Sequence, residues 1–169
     1  MIQTDVLVVG SGPAGSSMAA LLSSYGVENT LVTKYRWLSD TPRAHITNQR
    51  TMEIMRDLGL EQQCMLHATS QKLMGHNVFC TSLAGEELGR VHTWGNHPNS
   101  LARHRLASPT EMNDLPQNLL EPIIFGAACG RGTRARLSTE YVSHGQDKDG
   151  VTATVRDRVT TEEYPIRAK

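Results

Sequence analysis

A glycine-rich turn near the start of the chain constrains its fold more than any other feature. The apolar run Val6–Val9 leads directly into G-S-G-P-A-G, where Gly10, Gly12 and Gly15 form the pattern G-x-G-x-x-G. An unbroken apolar run of this length is typical of a strand buried on both faces of a parallel sheet. We therefore predict a buried strand that ends in a tight turn at Gly10.

The residues after the turn predict a helix and a second parallel strand. Gly26 is well placed to end the helix, whose apolar residues recur at helical spacing: Met18, Leu21, Leu22 and Tyr25. A second apolar piece, Thr30–Val32, follows closely and would lie parallel to the first strand. The segment is thus a βαβ unit.

Each glycine of the motif has a separate physical role. Gly10 permits the sharp turn, Gly12 lets the backbone approach a pyrophosphate, and Gly15 lets the helix pack closely on the strand. The phosphates would sit at the helix N-terminus, where free N–H groups and the helix dipole favour an anion. Pro13 is tolerated there because first-turn N–H groups have no helical partner. The motif predicts dinucleotide binding.

The acidic residue that usually follows this motif by about 20 positions, and that binds the adenosine ribose, is missing. Thr33 and Lys34 occupy that region. Thr33 could bond a ribose hydroxyl, whereas Lys34 would face solvent or approach a phosphate. The glycines alone leave NAD and FAD open.

Further along the chain the pattern changes from helical to extended. We predict a loop around Pro42 and a helix capped by Thr47 that ends at Gly59. The other predicted elements are a short helix at 61–67, a hairpin within 77–94, a helix from Pro116 to Gly130, and an antiparallel meander with strands at 137–144, 151–158 and 164–168.

Composition excludes several classes of function. Lys and Arg number 17 and so do Asp and Glu, so no long-range field favours nucleic acid or an anionic membrane. No apolar stretch approaches the roughly 18 residues of a membrane span, and the first strand begins too early for a signal peptide. Three widely spaced cysteines fit reduced, buried thiols in a cytoplasmic protein: Cys64, Cys80 and Cys129.

Two polar clusters resemble metal sites only superficially, and we expect no metal. His92, His97 and His104 are expected in a polar loop and match no recognised ligand spacing. Asp147 and Asp149 lack the other ligands of a calcium loop and predict a hairpin turn.

Longer motifs resemble a known enzyme family. They are T-P-R-A-H-I-T-N-Q-R-T-M-E-I-M-R-D-L-G from Thr41 to Gly59, S-L-A-G-E-E-L-G-R, T-W-G and D-L-P-Q-N-L-L-E-P-I. Together with G-S-G-P-A-G they resemble the single-component, FAD-dependent phenol hydroxylases, most closely the 2,4-dichlorophenol 6-monooxygenase group. The resemblance extends from Thr4 to Lys169.

This resemblance implies an α/β fold: a Rossmann-like FAD/NAD(P)-binding domain with a parallel sheet and an antiparallel meander. It implies ortho-hydroxylation of a phenolic substrate to a catechol with FAD, NAD(P)H and O₂, and allows a homo-oligomer of the full-length enzyme. It assigns the FAD pyrophosphate to Gly10, Gly12, Ala14, Gly15 and Arg43, and the phosphate and ribityl part to Gln117. A guanidinium presents a planar fork of donors that suits phosphate oxygens.

His45 is the catalytic candidate that the resemblance implies. In such hydroxylases the loop with R-A-H-x-T-N-Q-R passes the flavin and substrate pocket, so His45 would reach the phenol oxygen. Histidine accepts protons near neutral pH, and deprotonating the phenol raises electron density at the ortho carbon. A structural loop histidine remains the alternative.

The family also implies a longer protein. Residues 1–169 would form the N-terminal part of an FAD-binding domain that is incomplete at its C-terminal side, with the substrate domain and the C-terminal domain absent. We expect such a fragment to be inactive alone. The alternatives are a non-catalytic dinucleotide-binding module and, less well supported because the ribose acid is missing, an NAD-dependent oxidoreductase.

Overall fold

A computed structural model describes residues 1–169 as two compact units. The first unit comprises Met1–Arg43 and Gln117–Lys169, and the second comprises Ala44–Pro116. The elements, in chain order, are β1 (Ile2–Thr4), β2 (Val6–Val9), α1 (Pro13–Ser24), β3 (Asn29–Val32), β4 (Ile46–Thr47), α2 (Gln49–Asp57), α3 (Glu61–His67), β5 (Thr69–Ser70), β6 (His76–Cys80), β7 (Glu87–His92), α4 (Pro98–Ala107), β8 (Asn113–Asp114), α5 (Gln117–Gly130), β9 (Arg134–Arg136), β10 (Thr139–Asp147), β11 (Gly150–Asp157) and β12 (Glu163–Ala168). None of the helices has the length and apolar character needed to cross a membrane.

The predicted βαβ unit is confirmed in the first unit. Strands β2 and β3 pair in parallel, and β9 adds to the other side of β3, giving the order β2-β3-β9. Leu31 and Val32 of the central strand are fully buried. Helix α1 packs against both β3 and α5.

The expectation that β2 is buried on both faces is wrong at its end. Val8 is buried, and its Cγ1 atom lies 3.5 Å from the position that a Cβ on Gly15 would occupy, so its side chain faces α1. Successive strand residues point to opposite faces. Val9 therefore points away from α1, and 55% of it is exposed.

The predicted antiparallel meander is also confirmed. Strands β10, β11 and β12 pair in sequence, and β1 joins β12 in parallel, giving the order β1-β12-β11-β10. A fully buried cluster of Val32, Val155 and Ile166 joins this sheet to β3 of the parallel sheet.

The Arg167 guanidinium beside Asp147 lowers the pKa of that carboxyl to about 2.

The second unit corrects two sequence predictions about helices. Asn48, not Thr47, caps α2, and its side chain accepts a hydrogen bond from the Thr51 backbone N–H at 2.9 Å. Thr47 belongs to β4 and pairs with Asn113, so its backbone is part of a strand. The polar loop expected around the histidines is also wrong: His92 ends β7, His97 is the N-cap of α4 and His104 lies within α4, a helix that buries no residue.

The cysteines agree only in part with the expectation that they are buried. Cys64 is buried, and burial raises the pKa of its thiol to about 11. Cys129 is half-buried, whereas Cys80 is exposed on the β6–β7 hairpin. All five residues of β6 are exposed, so this hairpin provides no interior for a thiol.

The contact between the two sheets of the first unit predicts a clear stability effect. Ile166→Ala should lower the free energy of unfolding by about 2 to 5 kcal/mol, because it leaves a cavity in the Val32–Val155–Ile166 cluster. Val159→Ala is the control, since Val159 is 80% exposed and should change stability by less than about 0.5 kcal/mol. Urea unfolding measures the free energy of unfolding of both variants. Equal losses in the two variants would contradict the prediction that this cluster stabilises the first unit.

Candidate functional site

The three glycines of the motif meet different constraints in the structure. Gly10 has φ +104°, a conformation that a side chain would strain. A Cβ on Gly15 would overlap the carbonyl oxygen of Gly10, so α1 can approach the turn this closely only with glycine there. Both glycines are therefore required by the fold.

Gly12 differs because the fold does not require it to be glycine. Its φ of −64° suits any residue, and a Cβ there would meet no atom closer than Glu121 Oε1 at 3.9 Å. The open space in front of Gly12 lies in a cleft. This glycine keeps that space free for a ligand.

The N-terminus of α1 is available to an anion. Gly12 is its N-cap and supplies no side-chain cap, and the first turn contains no acidic residue. Pro13 occupies the first helical position as predicted, and the N–H groups of Ala14 and Gly15 have no partner within the helix. The uncapped N–H groups and the helix dipole favour a phosphate.

A cleft of about 740 Å³ opens in front of this turn, and we call it the glycine cleft. Its lining comes from Gly10 to Gly12, from Thr33, from the segment 35–40, from Arg43, and from Gln117 and Glu121. All of these belong to the first unit. The cleft lies beyond the carboxyl ends of β2 and β3, where open α/β sheets bind their ligands.

Arg36 and Arg43 bring two positive charges to the cleft, and Asp40 and Glu121 bring two negative ones. Both arginines are exposed. The structure thus places Arg43 and the glycine turn at one cleft, an arrangement compatible with the role that the resemblance implies for Arg43. A guanidinium and a helix N-terminus at one cleft can both donate to the oxygens of a diphosphate.

Gln117 lies at the start of α5 and also lines the cleft. Its Nε2 atom donates to Glu121 Oε1 at 2.6 Å, and Glu121 Oε2 accepts the Ser39 backbone N–H, also at 2.6 Å. Sequence reasoning missed Glu121 and Ser39. The available signal was a lone glutamate in the apolar stretch N-L-L-E-P-I-I, four residues after Gln117.

The two candidates for the ribose position separate in the structure. Thr33 is buried and lines the cleft, and its backbone is fixed by hydrogen bonds to Arg136 and Thr139. Lys34 is exposed and does not line the cleft, and its ammonium lies 5.4 Å from the centre of the Tyr35 ring. Of the two, only Thr33 is positioned to contact a ligand there.

His45 belongs to the second unit, although it follows Arg43 by two residues. Its Nδ1 atom lies 3.0 Å from Asp114 Oδ1, and its carbonyl oxygen accepts the Leu115 backbone N–H at 2.6 Å. A carboxylate at Nδ1 favours the tautomer with its proton there, which leaves the lone pair of Nε2 free. Asp114 was missed because its partner is 69 residues away in the sequence.

The residues of the glycine cleft therefore fit a dinucleotide. They provide an uncapped helix N-terminus, a position where a Cβ would enter the ligand space, two guanidinium groups and a buried threonine. A volume of about 740 Å³ also falls within the range of roughly 300 to 1,000 Å³ for small-molecule and cofactor sites.

Comparison with known proteins agrees with this geometry. The family model described as FAD binding domain matches residues 3–169. The chain is 61% identical to 2,4-dichlorophenol 6-monooxygenase of Delftia acidovorans, over 100% of this chain and 29% of that protein. It is 56% identical to phenol 2-monooxygenase of Pseudomonas sp. strain EST1001, over 100% of this chain and 28% of that protein. The chain thus spans less than a third of the length of these relatives.

Solved structures give the same fold. The flavin-dependent monooxygenase PieE, in complex with FAD and substrate, matches with a TM-score of 0.96 at 43% identity, over 99% of this chain and 29% of that one. Aklavinone-11 hydroxylase, in a ternary complex with FAD and aklavinone, matches with a TM-score of 0.86 at 31% identity, over 99% of this chain and 32% of that one. The predicted α/β fold class is confirmed.

The different constraints on the glycines predict different variant phenotypes in a full-length protein containing this chain. Gly12→Val should leave folding intact but remove FAD, because the side chain would fill the space in front of the turn. Gly15→Val should instead destabilise the fold, because its side chain would overlap the Gly10 carbonyl. Flavin absorbance and thermal unfolding measure the two effects. A Gly12→Val protein that retains its full flavin content would contradict this assignment.

Proposed function

The chain belongs to the family of FAD binding domains, and from this premise we propose that it forms the FAD-binding portion of a phenol or chlorophenol monooxygenase. The observation that carries the proposal is the glycine cleft, where Gly12 leaves ligand space that the fold itself does not need. Identities of 61% and 56% to monooxygenases of dichlorophenol and phenol support the substrate class.

The residues of the first unit divide the binding of FAD among them. The first-turn N–H groups of α1 and the Arg43 guanidinium bind the diphosphate from two sides. Gln117 binds the neighbouring phosphate and ribityl part, and Thr33 bonds a hydroxyl of the adenosine ribose. When bound and reduced by NAD(P)H, FAD supplies the activation of O₂ for insertion into the aromatic ring.

His45 takes the phenolic proton in this proposal. Its Nε2 lone pair accepts the proton while Asp114 holds Nδ1 at 3.0 Å and stabilises the resulting imidazolium. Loss of that proton makes the oxygen a stronger electron donor, so the ortho carbon becomes more reactive. Asp114 thus acts by orienting His45 and by balancing its positive charge.

In this proposal residues 1–169 are the N-terminal part of the FAD-binding domain, and the substrate and C-terminal domains belong to the rest of a longer enzyme. The competing function is a non-catalytic module that binds a dinucleotide without turnover. Both functions use the glycine cleft, so an assay of FAD binding cannot distinguish them and an assay of turnover is needed. The pairing of His45 with Asp114 favours the enzyme, because binding a dinucleotide needs no oriented base.

A full-length protein containing this chain should convert phenol to catechol with FAD and NADH or NADPH. Mass spectrometry should find one oxygen atom from ¹⁸O₂ in each catechol, because the inserted atom comes from O₂. The Gly12→Val protein is the control for reactions of free flavin. Tight FAD binding with no product from phenol or chlorophenols would support the non-catalytic module.

The role of His45 predicts a specific loss of activity. His45→Ala should keep FAD bound but lower hydroxylation about 10²- to 10⁴-fold, the range for a lost general base, while NAD(P)H oxidation shifts toward peroxide. The loss should shrink as the pH rises toward the pKa of the phenol, because ionised substrate needs no base. For the same reason, acidic chlorophenols should lose less activity than phenol.

His67→Ala is the matched control in the same unit, since this exposed residue lies at the end of α3. It should leave rate and coupling unchanged. Equal losses for phenol and dichlorophenol at every pH in His45→Ala would return His45 to a structural role.

A further inference from the structure

The glycine cleft contains a buried acid that the binding of FAD, as described above, does not use. Only 3% of Glu121 is exposed, and its neighbours Leu120 and Ile123 on α5 are also buried. A carboxylate in such surroundings is costly unless it is hydrogen-bonded. Both oxygens of Glu121 are bonded, one to the Gln117 amide and one to the Ser39 backbone N–H.

The bond to Ser39 ties the segment that carries Arg43 to α5. Glu121 Oε2 accepts the Ser39 N–H at 2.6 Å, and the Ser39 hydroxyl in turn donates to the Thr41 carbonyl oxygen at 3.0 Å. Arg43 lies four residues beyond Ser39 on the same stretch of chain and lines the same cleft. The carboxylate therefore restricts the backbone from which the guanidinium reaches a ligand.

The bond to Gln117 fixes the direction of its side-chain amide. Nε2 must face Glu121 Oε1, because the opposite orientation would set the amide carbonyl oxygen against a carboxylate. The amide oxygen and the second N–H of Gln117, a residue that lines the cleft, are then held in one arrangement. A fixed donor and acceptor pair suits a ligand that offers hydroxyl and phosphate groups together.

On the basis of the proposed function, we propose that Glu121 is a positioning residue for FAD. It holds the Ser39–Arg43 segment and the Gln117 amide in their binding arrangement before the cofactor arrives. Such preorganisation strengthens binding because these groups are already ordered in the free protein and lose less conformational entropy when the cofactor binds.

Two substitutions of Glu121 distinguish the effect of its bond to Ser39 from that of its bond to Gln117. In Glu121→Gln the new amide oxygen can still accept the Ser39 N–H, while its NH₂ group forces the Gln117 amide to turn over. In Glu121→Leu both bonds are lost but the apolar packing of α5 is kept. Glu162→Gln is the control, because Glu162 is an exposed glutamate of the same unit away from the cleft.

The first measurement is the FAD dissociation constant of the full-length protein, from flavin fluorescence. We expect Glu121→Leu to raise it about 10- to 100-fold, the range for a lost hydrogen bond to a charged group, and Glu121→Gln to raise it less. The control should match the wild type. An unchanged dissociation constant in Glu121→Leu would overturn the proposal.

The second measurement is backbone hydrogen exchange at Ser39 in protein freed of FAD, together with thermal unfolding. Exchange should speed up in Glu121→Leu and stay slow in Glu121→Gln, with global unfolding similar in both. Unchanged exchange, or a loss of FAD that only follows a loss of the fold, would contradict a positioning role. A wild-type protein that binds no FAD would instead refute the proposed function. The exchange measurement would still show whether Glu121 holds the Ser39 N–H.

Discussion

The close approach of α1 to the turn at Gly10 is the constraint on which the rest of the first unit depends. A Cβ on Gly15 would overlap the Gly10 carbonyl, so the helix can begin directly against the turn only because residue 15 is glycine, while Gly10 permits the positive φ of the turn itself. Helix α1, which begins at this contact, has its N-cap Gly12 at the glycine cleft and packs against β3 and α5. Helix α5 carries Gln117 and Glu121, so two helices that pack together both contribute residues to the cleft.

Local patterns predicted the parts of the fold that local physics determines. The βαβ unit, the hairpin and the meander follow from apolar runs and turn residues, and all three are present. The failures occur where neighbours distant in sequence decide the outcome. Thr47 has the chemistry of a helix cap, but pairing with Asn113 places it in a strand, and Asn48 caps the helix instead. Helix α4 has no apolar stripe to detect.

The site shows the same division. The glycines and Arg43 belong to motifs that can be read from the sequence, and the structure places them at one cleft. Asp114 could not be found in this way, because His45 lies 69 residues from it. Glu121 lies only four residues after Gln117, but its other partner, Ser39, is 82 residues away, so its place at the cleft was missed. In the proposals above, both acids act on other side chains or on the backbone and do not themselves touch the ligand. A sequence therefore reveals groups that touch a ligand more readily than groups that hold them.

The position of β2 has a consequence for how its sheet can be extended. This strand lies at one edge of its sheet, and the exposed Val9 side chain stands at its end. The free edge of a strand presents unpaired N–H and C=O groups that serve as a template for another chain, and an apolar side chain beside it strengthens the attraction. In the longer enzyme proposed above, this edge is open to a strand from the rest of the protein, and pairing there would extend the parallel sheet beside the glycine cleft.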